Sequence, residues 1–181
     1  MDIINGLKTR RSVRKFNTEK TIPHDDIVKI LEAASYAPSA HNTQPWEFLV
    51  IENKEKLASL RTLQPWTAFA KEASCAIIVC VDENKTFHRE KEGEKWSYAD
   101  IDGTLAAYGI LLAAHDLGYG ACFCGAAPMP LVIDNLQKTF NIPSHMRPVA
   151  IIPLGIPAEP ARQPSESRYQ AEKTHWETWT E

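Results

Sequence analysis

Long hydrophobic runs are missing from this 181-residue chain: the longest strand-like one, Cys75 to Val81, falls far short of the roughly 20 residues a membrane helix needs. The N-terminus lacks the apolar segment of a secretory signal, so the cytoplasm is the expected location. Cysteine is sparse. Cys75, Cys80, Cys122 and Cys124 sit in apolar runs without Cys-x-x-Cys spacing, which argues against a zinc ribbon or a redox loop and predicts buried, reduced thiols. The histidines His24, His41, His88, His115, His145 and His175 form neither an i,i+4 pair nor a His-Glu-x-x-His pattern, so no metal centre is expected. A Gly-x-Gly-x-x-Gly fingerprint for a dedicated dinucleotide site is missing as well. Charge of one sign is also lacking, and a net charge of -3 argues against a nucleic-acid surface. With no internal repeat and with 44% hydrophobic and 24% charged residues, the composition fits one globular domain over residues 1–181.

Against this background one stretch stands out. Arg10-Arg11-Ser12-Val13-Arg14, flanked by Lys8 and Lys15, puts five cations into eight residues. Guanidinium forks match phosphate oxygens in bidentate geometry and the serine hydroxyl adds a short neutral donor, so a phosphate monoester is a natural guest; a solvated basic turn is the plain alternative. Asp2 is a good N-cap for a first helix with Ile3, Ile4 and Leu7 on one face, which would deliver the cationic turn at its end. Pro23, Asp25 and Asp26 open a second helix with the stripe Ile27, Ile30, Leu31 and Ala34 as core, ending before Pro38. The polar loop Pro38-Ser39-Ala40-His41-Asn42-Thr43-Gln44-Pro45-Trp46 follows, ahead of a strand from Glu47 to Ile51. It offers many hydrogen-bonding groups close together and suits a planar, polar ligand.

These two motifs, with a helix between them, resemble the FMN-dependent nitroreductase family. The resemblance implies an α+β fold, a mixed and largely antiparallel central sheet flanked by helices. It further implies a homodimer with FMN at each end of the interface and a C-terminal arm exchanged between subunits. By the same resemblance Arg10, Arg11 and Ser12 would hold the FMN phosphate and ribityl chain, and Arg14 would approach the pyrimidine edge of the ring. Pro38, Ser39, Ala40 and Asn42 would reach the same flavin from the other subunit, with Gln44 supporting their loop. For His41, a hydrogen-bonding or surface role stands beside proton donation.

Farther on, Asn53 caps a third helix through Leu60, Gln64-Pro65-Trp66 breaks the pattern, and Cys75 to Val81 is a strand buried on both faces. Residues 82–98 are charged and irregular and suggest a solvated loop or loose helix, although in the resembled family this region often borders the substrate channel, where Phe87, Trp96 and Tyr98 could stack on a flat substrate. The most apolar helix runs from about Asp100 to Leu117. Its Gly103 and Gly109 signal close approach of another backbone, within the subunit or across a dimer. Where the family usually has Gln-Asn, this helix has Tyr108-Gly109. Gly118 is a left-handed cap, and the strand-and-turn segment after it contains Gly125 and Ala126, the candidates for backbone amides facing the flavin ring. Pro130 begins a helix with Leu131, Ile133, Leu136 and Phe140 as its buried side, and 148–156 is the last core strand. Pro157, Pro160 and Pro164 then favour an extended arm. Within Arg162-Gln163-Pro164-Ser165-Glu166, Arg162 inherits the family's role of closing over the phosphate, while the cation often found just before it is Ala161 or Pro160 here. The tail His175-Trp176-Glu177-Thr178-Trp179 would pack on the partner chain.

The implied activity is transfer of a hydride from NAD(P)H, a co-substrate, through flavin N5 to a nitroaromatic, quinone or other small acceptor in a ping-pong cycle, with no protein nucleophile or acid required. The alternatives are a specialised flavin dehydrogenase or reductive dehalogenase of the same fold, and a flavin-binding module that turns over little.

Overall fold

The computed structural model describes residues 2–163 and 167–179; Pro164, Ser165 and Glu166 of the arm motif lie outside the described residues. Asp2 accepts a hydrogen bond from the Asn5 amide at 3.4 Å and starts α1 (Ile3–Thr9). α2 (His24–Ala34) carries Asp25 and Asp26 in its first turn, where the helix dipole favours carboxylates. A loop with one 3-10 turn (Ala40–Asn42) leads into β1 (Trp46–Ile51). Asn53 caps α3 (Lys54–Leu63) through the Lys56 amide at 3.0 Å. A 3-10 segment (Pro65–Glu72) then precedes β2 (Cys75–Asp82). The hairpin of β3 (His88–Lys91) and β4 (Glu94–Ser97) is followed by the long α4 (Ala99–Asp116). β5 (Gly120–Ala121), β6 (Cys124–Gly125), α5 (Pro130–Phe140) and β7 (Met146–Gly155) come before an extended arm.

The main sheet has the order β1-β2-β7-β5, with β6 also on β7, and every pair is antiparallel; a parallel contact is made by the isolated bridge Ser12–Ala121. β5 and β6 share one register against β7, Gly120 opposite Gly155 and Cys124 opposite Ile151. The ladder skips between them because Pro153 has no N–H to give.

β2 is buried along its whole length, so its alternate residues serve two cores. Cys75, Ile77 and Val79 pack with Ile30 and Ala34 of α2 and Ala106, Ile110 and Ala114 of α4. Ala76, Ile78 and Cys80 pack with Leu57 and Leu60 of α3 and Val132 and Leu136 of α5. The result is an α+β sandwich with the sheet in the middle. Among the described residues no helix is long and apolar enough to cross a membrane.

The two glycines of α4 are both explained inside this chain. A Cβ on Gly103 would lie 2.7 Å from Val149 Cγ2 and 2.8 Å from Val81 Cγ2, and one on Gly109 would lie 3.0 Å from the Ala34 Cα. They let α4 sit against the sheet and α2. Two expectations change, and the apolar face of α1 is left uncovered in this chain. Ile3, Ile4 and Leu7 are 77%, 62% and 45% exposed and have no core to enter within this chain. Leu131 is exposed as well, and Val132 takes the inward position with Ile133 and Leu136. The charged 82–98 segment contains a regular hairpin, turned by Glu92 and Gly93 at φ 56° and 84°. Both residues in the left-handed region give the turn the twist that matches paired strands.

Tyr119 donates its hydroxyl to Asp26 Oδ2 at 2.5 Å and Lys29 Nζ reaches Oδ1 at 2.7 Å, tying α2 to the turn after α4. The Lys29 hydrogen bond, then that of Tyr119, hold the Asp26 pKa below its ordinary 3.8. A carboxylate with a depressed folded pKa adds stability above its unfolded value and loses it as pH falls through the folded one. Asp26→Asn should therefore lower the thermal midpoint at neutral pH and cease to differ from the unaltered chain well below pH 3.8. An equal deficit in melting curves at both pH values would remove Asp26 from the acid limb.

Candidate functional site

Gly120 and Gly155 face each other across β5 and β7, and the space their missing side chains leave is filled from outside the sheet. A Cβ on Gly120 would lie 2.7 Å from Val13 Cβ, and one on Gly155 would lie 2.6 Å from Phe16 Cδ1. Val13 and Phe16 thus seat in a notch. The Val13 amide donates to the Ala121 carbonyl at 3.0 Å, the Asn17 amide to Ile156 at 2.8 Å, and the Ala158 amide to Lys15 at 3.1 Å. Apolar anchors and backbone bonds therefore fix the cationic stretch between the strand and the arm.

With Val13 and Phe16 held against the sheet, the cations face a cleft of about 700 Å³. Arg10, Arg11, Ser12 and Arg14 line it from the N-terminal side, and Arg162 and Arg168 from the arm. Gln163 Nε2 donates to the Thr9 carbonyl at 3.2 Å and holds the arm near the end of α1. Lys15 is engaged with Glu159 at 3.2 Å. Arg168 is a residue that sequence reasoning missed, since nothing in the arm's spacing marks it. Burial, then the charges of Arg168 and Arg10, push the Arg11 pKa down. Arg11 spends its fork on the main chain, NH1 on the Arg10 carbonyl at 2.5 Å and NH2 on Lys8 at 2.8 Å. Arg10 Nε and Arg11 Nε are buried without a partner among the described residues. Converging guanidinium groups that repel one another and keep buried donors unused fit a dianionic phosphate.

Pro38, Ser39, Ala40, Asn42 and Gln44 are not in that cleft. Pro38, Asn42 and Gln44 line another hollow with Tyr36 and Glu32. Within one chain the two motifs do not meet. The His41 ring lies 4.0 Å from that of Phe87, which lies 5.7 Å from Tyr98, so His41 joins an aromatic row at the foot of the hairpin.

Gly125 and Ala126 close the β6 end. The Ala126 amide donates to the Val149 carbonyl at 2.9 Å and the residue is fully buried, which commits it to β7. The Gly125 carbonyl accepts from Gln64 Nε2 at 2.6 Å. Gln64, which the sequence presents as a helix breaker, is 2% exposed and also accepts Thr67 Oγ1 on its carbonyl at 2.7 Å. Gln64→Leu would orphan the Gly125 carbonyl, a loss of about 1–3 kcal/mol. A lower urea midpoint with an unchanged slope is the expected reading, and an unmoved midpoint would show the bond to be dispensable.

All four cysteines are free and buried. Burial pushes Cys75 and Cys80 up to about 12. Cys122 is drawn down by its hydrogen bond with Cys124 and, against burial, by Arg14 and Ser12, while Cys124 moves up.

The model of the nitroreductase family matches residues 7–68 and 63–156. A Methanothermobacter thermautotrophicus protein named NADH dehydrogenase/NAD(P)H nitroreductase is 38% identical over 179 residues, 99% of this chain and 88% of that protein. The structure of an FMN-dependent nitroreductase from Clostridium difficile R20291 superposes with a TM-score of 0.84 at 28% identity, covering 98% of this chain and 100% of that one. An iodotyrosine deiodinase from Thermotoga neapolitana is 28% identical, covering 84% of this chain and 87% of that protein.

Proposed function

Because this chain belongs to the nitroreductase family, we propose that it is an FMN-dependent NAD(P)H oxidoreductase acting on small electron acceptors. The observation that carries the reading is the cleft in which Arg10, Arg11, Ser12, Arg162 and Arg168 converge, with the Nε atoms of Arg10 and Arg11 buried and without a partner among the described residues. These residues would hold the FMN phosphate. Arg14, beside Ser12 in the same cleft, would place its charge near the pyrimidine edge of the ring, where a cation favours added negative charge. Gly125 is the preferred backbone donor toward the ring, since the Ala126 amide is engaged by Val149. FMN held by these residues would supply the redox chemistry, hydride transfer between reduced nicotinamide and a nitroaromatic, a quinone or a similar acceptor. No side chain of the chain is assigned the role of nucleophile or acid.

The second motif completes the site from another copy. Pro38, Ser39, Ala40 and Asn42 lie outside the Arg cleft of their own chain, as they would if they served a partner's flavin. Ile3, Ile4, Leu7, Ile101, Leu105 and Tyr108 leave apolar surface on α1 and α4 exposed, and a homodimer would cover it. Trp176 and Trp179 of the arm are likewise exposed, consistent with exchange of the arm onto that partner. A reductive dehalogenase is the second reading, favoured by the iodotyrosine deiodinase relative.

The purified protein should show an oxidised flavin spectrum, release FMN by mass, and bleach when NADH or NADPH is added without oxygen. Parallel double-reciprocal lines with a quinone or nitroaromatic would support donor and acceptor using one opening in turn. Bound FMN that neither nucleotide bleaches would make the chain a binding module. A folded dimer that takes up no FMN would overturn the flavin reading.

A further inference from the structure

The 38–44 loop holds three non-glycine residues in the left-handed region, His41 at φ 52°, Asn42 at 55° and Gln44 at 46°. Such a conformation persists only where its surroundings over-determine it. Part of the determination is internal. The Asn42 amide donates to the Ser39 carbonyl at 3.0 Å, the Thr43 amide to Ala40 at 3.2 Å, and the Gln44 amide to Ser39 Oγ at 2.9 Å. These bonds fix the loop's shape and leave its place in the molecule open.

Its place is set from α4. Asp102, in the first turn of that helix, is 1% exposed, and its Oδ1 accepts the Ala40 amide at 3.0 Å. Neighbouring Gly103 lets the helix press on Val149 and Val81, so the carboxylate is carried by a rigid support. Oδ2 of the same carboxylate is buried and has no partner among the described residues. A buried carboxylate oxygen left unsatisfied is expensive, and a chain that needed only a helix end here could use a smaller or apolar residue. We propose that Asp102 is the positioning residue for the 38–44 loop, holding Ala40 so that Ser39, Ala40 and Asn42 meet the second subunit's flavin in one arrangement. The functional half of this inference rests on the flavin reading above; the anchoring half does not.

The test compares the full-length dimer with Asp102→Ala, Asp102→Asn and Ala40→Pro. The first removes the acceptor, the second keeps an oxygen able to accept, and the third removes the donor while leaving the carboxylate. Ala40 opens the 3-10 turn and Ser39 before it is extended at φ -138° and ψ 156°, which suits a following proline. Amide hydrogen exchange of Ala40 and Gln44 reads the anchor, and FMN titration reads its use. Asp102→Ala should expose both amides and weaken FMN binding roughly tenfold, the loss of one charge-assisted bond, without dissociating the dimer. Asp102→Asn should restore most of both, and Ala40→Pro should match the alanine variant in Gln44 exchange and in FMN affinity. Unchanged amide protection in Asp102→Ala overturns the anchor. Lost protection with unchanged FMN affinity overturns the positioning role. Failure of the unaltered chain to bind FMN overturns the flavin reading instead, and the positioning role with it, while the exchange rates still decide whether Asp102 holds the loop.

Discussion

Arg10→Ala and Arg162→Ala are each expected to weaken FMN binding by about 10- to 100-fold, the consequence of removing a charge-assisted hydrogen bond of about 1.5–3 kcal/mol to a phosphate. Neither change should cost the fold comparably. Arg10 Nε is buried with no partner among the described residues, so the apo chain should give up little when it goes and lose some repulsion from Arg11. Arg11 sets the contrast. Its fork closes the end of α1 through the carbonyls of Lys8 and Arg10, and Arg11→Ala should lower both FMN affinity and thermal stability. Quenching of flavin fluorescence gives the affinity, and melting of the apo protein gives the stability. Ordinary titration curves for Arg10→Ala and Arg162→Ala would take the phosphate out of this cleft. The affinity lost should also shrink with added salt, because a cleft this open is screened.

Gly120→Val should leave the protein without cofactor. The added Cβ would meet Val13 Cβ and Cγ1 at 2.7 Å each, and a β-branched side chain has little rotamer freedom with which to move aside. Overpacking of this kind costs about 1–3 kcal/mol when the structure absorbs it. Here relief comes by lifting the 10–17 segment off the strand, which carries Arg10, Arg11, Ser12 and Arg14 away from Arg162 and Arg168. Gly155→Ala should act in the same way through Phe16, whose Cδ1 would be 2.6 Å from the new atom. The cause can be separated from general damage. Gly120→Ala should be rescued by Val13→Gly in the same chain, because the nearest clash is with the Val13 Cβ itself, a coupling that adjacent residues show and distant ones do not. Gly93→Ala supplies the control, since nothing lies within 4 Å of its Cβ and its positive φ strains a remote hairpin. Unaltered FMN affinity in Gly120→Ala would mean that the notch is not what seats the segment.

Much of the scaffold was legible because its signals are local. Asp2 and Asn53 announce their helices by the oxygen that each offers to an amide three residues on, and both do so here. The run from Cys75 could be recognised as a strand because burial on both faces demands an unbroken apolar stretch. The β3–β4 hairpin was not legible for the converse reason. All eight of its residues are exposed, so neither face selects apolar side chains and the period of two never appears in the sequence. Gln64 belongs to the same class of miss. Its burial depends on the Gly125 carbonyl 61 residues away, and no neighbour in sequence reports it. The glycines of α4 were readable as close approaches, but only the packing of Val149, Val81 and Ala34 says that the approach is within one chain. The cationic cluster was visible at once as charge. Its orientation depends on Gly120 and Gly155, which are far from it along the chain and empty of any side-chain signal.

The separation of the Arg cleft from the 38–44 loop within a single chain bears on how the protein behaves when it is scarce. A site completed by a neighbour's loop has no fixed competence of its own; it has a dilution limit. In the proposed dimer each half would keep its arginines below the subunit dissociation constant and lose the wall opposite them. Specific activity would then fall with protein concentration, and excess FMN would push the midpoint of that fall to lower concentration, since ligand and association are linked through the same state. Rate constants measured at different enzyme concentrations would in that case describe different mixtures of halves and wholes.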